Sequence, residues 1–169
     1  MIKSKTKFFL GLIKHKWWVF VYCLKLRVPL RLAIFHDISK FSRKEFPHYV
    51  NNFYTKYGTK RNVRDGTGAH DIAKQSQEFQ TAWIHHQKNK HHWQAWCSIG
   101  DNGIVTAVDM PEVYIREMVA DWCGAGKSYR GKSTPIHFYN ENSKKIIITN
   151  KTREILEELL LQGYYLQDK

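Results

Sequence analysis

Apolar residues recur at helical spacing over residues 5–27, where Leu12, His15, Val19, Tyr22 and Leu26 fall on one face. Proline disfavours helix at the residue before it, so Arg27-Val28-Pro29 ends this element. A second helix is expected over residues 29–40, with Leu32, Ala33, His36 and Lys40 on one side. Ser42 reads as the N-cap of a third helix, with Glu45 completing a capping box before Phe46, Tyr49, Val50 and Phe53. Residues 55–70 are polar and rich in Gly, Lys and Arg, and read as an exposed loop long enough to be functional, with Lys60, Arg61 and Arg64 as candidate lid residues.

Residues 71–97 show Phe79, Trp83, His86, Trp93 and Cys97 near one helical face, with a break expected around Asn89. Asp101-Asn102-Gly103 is a tight-turn signal between short apolar runs, predicting a small β-hairpin near residues 98–108. Met110-Pro111 opens a helix through Trp122, proline being suited to a first turn. Residues 144–149 read as a strand, and Asn150 as the cap of a final helix carrying Ile155, Leu156, Leu159 and Leu160. The predicted architecture is all-α, in one domain of 169 residues with no internal repeat.

Composition narrows the class. Apolar residues make up 43% and aromatics 14%, which excludes a disordered or collagen-like chain. A formal charge of +12 favours an anionic partner: a nucleotide, nucleic acid or acidic lipid. Cys23, Cys97 and Cys123 are odd in number and far apart, so the expected setting is a reducing cytoplasm. The apolar run Phe8–Ile13 is too short for a secretory h-region and lacks a small-residue cleavage site. No run approaches the roughly 18 apolar residues of a spanning helix, although a basic amphipathic helix lying on a membrane is compatible with residues 5–27.

The histidines supply the chemistry. His15 lies on the apolar face of the first helix, and His36-Asp37 adjoin at the end of the second. His85-His86 and His91-His92 come in pairs, and Glu117 and Asp121 sit four apart on a later helix, hence on one face. Imidazole with carboxylate suits Mn, Fe, Co or Zn, and the scattered cysteines offer no closed zinc site. An open site for one or two such ions is the expectation; each residue alone is also compatible with a buried structural histidine or a solvated acid.

The order of these residues carries a resemblance. His36-Asp37-Ile38-Ser39-Lys40 resembles the HD-x-x-K signature of the HD-domain metal-dependent phosphohydrolases, with His15 upstream as first ligand and Asp121 as final aspartate. HDxSKF at 36–41, WxHHQxNxHHW at 83–93 and EMxxDW at 117–122 resemble more closely a family of small bacterial and phage proteins that is a domain of unknown function. The resemblance covers about residues 10–162 and implies an HD-like helical bundle. It implies metal ligands among His15, His36, Asp37, His85, His86, His92 and Asp121, without saying which histidine of each pair binds. Asp37 would bridge two metals, Lys40 would reach a phosphate oxygen, and Glu117 would orient a ligand or move a proton. The implied activity is hydrolysis of a nucleotide or related phosphate ester. No GYP motif is present, so the cyclic di-GMP subclass is not implied.

Gly124-Ala125-Gly126-Lys127-Ser128 does not make a P-loop, because Asp121 stands where the first glycine is needed and a helix precedes it. As a basic loop, Lys127, Arg130 and Lys132 are candidates to hold substrate phosphates. The non-enzymatic alternative is a basic module binding nucleotides or nucleic acid. Residues 1–36 favour it, with eight Lys/Arg and no acid, but it leaves the inward histidines and acids unused.

Overall fold

A computed structural model describes residues 2–129 and 134–167, with side chains as far as Leu161. It is mainly helical: α1 (Ile2–Lys25), α2 (Leu30–Phe35), α3 (Phe46–Phe53), α4 (Gln77–His86), α5 (Glu112–Tyr129), α6 (Pro135–Asn142) and α7 (Asn150–Gln167). A hairpin of β1 (Cys97–Ile99) and β2 (Val105–Ala107) pairs Cys97 with Ala107 in antiparallel register, where the Asp101-Asn102-Gly103 turn predicts it. The chain divides into two compact units, Met1–Lys14 with Asp37–His86 and His15–His36 with Gln87–Lys169. No helix among the described residues is long and apolar enough to cross a membrane.

The first unit is built around aromatic rings. Phe8 of α1 packs on Phe46, Tyr49 and Phe53 of α3, at centroid distances of 5.3, 6.0 and 6.3 Å. Tyr49 in turn meets Phe79 of α4 edge-on at 5.1 Å. The segment read as an open loop holds two tight turns, closed by bridges between Tyr54 and Lys60 and between Arg64 and His70. Ser4 Oγ donates to the Thr55 carbonyl at 2.8 Å and Lys7 Nζ to that of Gly58 at 3.0 Å, pinning the first turn to α1. Asp65 organises the second by accepting from the amides of Thr67 and Ala69.

The second unit has the larger core. Val19, Tyr22, Cys23 and Leu26 of α1 are buried with Ile115, Met118, Val119 and Cys123 of α5 and Leu156 and Leu160 of α7. Every residue of the predicted α1 face, from Leu12 to Leu26, is buried. Gly124 lets α1 and α5 approach closely: a Cβ there would sit 2.5 Å from Val19 Cγ2 and 2.8 Å from its backbone nitrogen.

Several expectations need correction. The second helix stops at Phe35 rather than Lys40, because Lys16 Nζ takes the carbonyls of Ile34 and His36 and Asp37 turns left-handed at φ 56°. A short 3-10 turn, Ile38–Phe41, follows. Ser42 and Glu45 form no capping box; Glu45 precedes α3 without a side-chain cap bond. The helix expected over residues 71–97 is confined to α4, and a further 3-10 turn spans Trp93–Trp96. The basic loop expected to contain Lys127 is instead the last turns of α5, whereas Arg130 and Lys132 lie outside the described residues. Residues 146–149 form no strand: Arg153 Nη2 takes the Ile146 carbonyl in place of a ladder partner. Thr149, not Asn150, caps α7, its Oγ1 accepting from the Thr152 amide at 3.2 Å. Helix α6 was not anticipated; Thr134 caps it through the His137 amide, with Pro135 in its first turn.

Candidate metal centre

Four segments of the second unit each bring a polar side chain into the interior. His15 comes from the buried face of α1, His36 from the residue after α2, His91 from the turn after residue 86, and Glu117 and Asp121 from successive turns of α5. His15, His36, His91 and Glu117 are all buried. His15 Nε2 lies 3.0 Å from Asp121 Oδ1, and His36 Nε2 lies 3.5 Å from the same oxygen. Ligand atoms of His15, His36 and Asp121 thus fall within 4.8 Å of one another, as do those of His36, His91 and Glu117.

Glu117 links the two groups. Its Oε1 is 3.1 Å from His36 Nδ1 and 3.4 Å from His91 Nδ1, and the two imidazole rings stand 4.3 Å apart. Burial alone would raise the Glu117 carboxyl; hydrogen bonds from His36 and His91 and their charge outweigh it and hold it below its ordinary value. Asp121 follows the same balance: burial opposes ionisation, but His15 and His36 bring it well below the usual carboxylate range. Both acids are therefore anionic at neutral pH. Burial, then the Glu117 and Asp121 charges, push the Cys23 thiol up.

This donor set fits a divalent transition metal. His36 meets Glu117 through Nδ1 and Asp121 through Nε2, the carboxylate–histidine pairing that orients metal-binding imidazoles. Two imidazoles and an ionised carboxylate meeting at one buried point are the nitrogen and oxygen donors such an ion takes.

In the first unit, Asp37 and His86 are both buried and face each other, with His86 Nε2 3.4 Å from Asp37 Oδ1. Lys40, expected to reach a substrate phosphate, is bonded to Asp37 Oδ2. His86 Nδ1 is anchored by Glu45 Oε2 at 3.0 Å and stands 3.3 Å from Ser39 Oγ. Burial and then the Lys40 charge lower the His86 pKa, against the attraction of Asp37 and Glu45, so the ring is neutral near pH 7. His85 is only partly buried, with Nδ1 on Glu45 Oε1 at 2.6 Å.

The predicted residues thus separate into those drawn inside and those left outside. His15, His36, Asp37, His86 and Glu117 are buried, while Asp121 and His92 are partly so, the latter with its ring 4.3 Å from that of His91. Lys127 is exposed on α5. Sequence reasoning placed His91 in a motif but not among the ligands, since nothing in a His-His pair says which ring turns inward. It missed Glu45 altogether: the spacing from Ser42 gave that glutamate a capping role, and only packing shows it holding both His85 and His86.

No curated protein and no solved structure matches the chain. A family model described as "Family of unknown function (DUF5662)" matches residues 4–162. With nearly its whole length so matched, the chain belongs to that family of unknown function.

Proposed function

We propose that this protein is a metal-dependent phosphohydrolase acting on a nucleotide or related phosphate ester. The observation that carries the reading is the buried convergence of His15, His36 and Asp121, with Glu117 fixing the far nitrogen of His36. Ionised carboxylates and imidazoles are costly to bury, and a bound cation is the function that makes this set worth retaining. When bound, a divalent transition metal supplies Lewis acidity to a phosphoryl group and activates water. The chain's own part is to hold donors in place: Glu117 orients His36, and Lys40 balances the charge of Asp37. The HD-x-x-K resemblance brings Asp37, the residue after His36, and the later histidines into the ligand set by sequence order. Three free thiols accord with a reducing, cytoplasmic setting.

The test is elemental analysis of protein purified without chelator, beside Asp121→Ala and Asp37→Ala. We expect about one or two transition-metal ions per chain, lost in both variants, and metal-dependent phosphate release in a nucleotide screen. A folded protein that contains no metal and cannot be loaded would overturn the reading. Salt-dependent duplex binding by such a protein would identify a basic binding module instead.

A further inference from the structure

Helix α1 is apolar on two sides. Its inner face is buried in the cores described above, yet Leu10, Ile13, Trp17 and Leu24 form a second stripe at helical spacing, and all four are exposed. Trp17 is 61% exposed. In the second unit this surface adjoins α2, whose Ile34 carbonyl is held by Lys16, the neighbour of Trp17. Helix α2 adds Leu30, Ile34 and Phe35, again exposed. Isolated exposed apolar residues are ordinary, but this many large ones on two consecutive helices mark an interaction surface.

Charge identifies the occupant. Lys14 borders the α1 stripe, and Arg27 and Arg31 flank the connection and α2, all exposed. No acidic residue occurs in residues 1–36. A second copy seated on the same face by two-fold symmetry would oppose cation to cation, and neither helix carries an acid to relieve them. An anionic bilayer satisfies both features: its acyl boundary takes the apolar stripe and its headgroups take the lysines and arginines. Neither helix is long and apolar enough to span, so the contact is with one leaflet. We propose that the outer face of α1 and α2 seats this protein on the surface of an anionic membrane.

The experiment is co-sedimentation of the full chain with vesicles of phosphatidylcholine alone and of phosphatidylcholine mixed with phosphatidylglycerol. We expect pelleting with the mixed vesicles only, weakened by salt. Two exposed side chains of this size make a Trp17→Glu/Ile34→Glu variant partition more weakly by on the order of tenfold or more. An Arg27→Gln/Arg31→Gln variant keeps the apolar face and should lose the preference for anionic vesicles. Circular dichroism verifies that each is folded. Wild-type protein left in the supernatant overturns the proposal, as does undiminished binding by both variants. A wild-type dimer in analytical ultracentrifugation that Trp17→Glu dissolves also overturns it, because a second copy would then cover the face.

Discussion

Glu117 shows how one side chain governs others. Its Oε1 lies against Nδ1 of both His36 and His91, so it fixes the orientation of both rings. Glu117→Gln keeps the volume but replaces the charged acceptor with an amide. We expect divalent-metal affinity to fall about 10–100-fold with the fold retained. Isothermal titration with Mn²⁺ or Zn²⁺ measures it, and an unchanged affinity would remove Glu117 from the centre. At this scale His15 was legible, because a histidine on the apolar face of an amphipathic helix has nowhere to go but inward. Glu45 was not, since sequence spacing cannot distinguish a capping glutamate from one that turns to a histidine pair forty residues on.

At the scale of elements, the crossing of α1 and α5 rests on Gly124. A methyl group there would meet both the side chain and the backbone of Val19, and backbone cannot rotate away as a flexible side chain can. Helix propensity favours alanine over glycine by about 1 kcal/mol. Overpacking costs typically about 1–3 kcal/mol, and here it should win. Gly124→Ala is therefore expected to lower stability in urea unfolding despite its better propensity; a neutral or stabilised variant would show that the helices part freely. The same glycine explains why the sequence reading stopped α5 too early. The segment after Trp122 reads as a basic loop, whereas the packing of Gly124 against Val19 keeps it in the helix. Conversely, α2 was read too long, because only the tertiary fold brings Lys16 to the carbonyls that a longer helix would have used.

Over the whole molecule, acid sensitivity should arrive in two stages. His70 stands among Phe53, Phe79 and Trp83, with ring centroids 5.7, 5.7 and 5.0 Å away. Burial, and then the charges of Arg64 and Lys40, push its pKa down to about 2. The unfolded chain takes up that proton below about pH 6.5 and the folded one resists, so stability falls with pH by up to about 1.4 kcal/mol per unit. His86 is shifted in the same direction. Glu45, Glu117 and Asp121 are held below their ordinary values. Their contribution is full above about pH 5 and is lost as pH drops through the folded values. His70→Phe should flatten the first stage in urea unfolding between about pH 7 and pH 5. An equally steep decline would place its source elsewhere.

By itself the sequence determined the helical class, the hairpin at Asp101-Asn102-Gly103, the inner face of α1 and the identity of most residues that could bind metal. These follow from periodicity, turn chemistry and residue type, which act over a few neighbours. Only the tertiary structure decided which histidines turn inward, that Lys40 answers to Asp37, that Glu45 and Glu117 fix the rings around them, and that α1 keeps a second apolar face exposed. Those outcomes depend on partners tens of residues away, brought together only when the cores close.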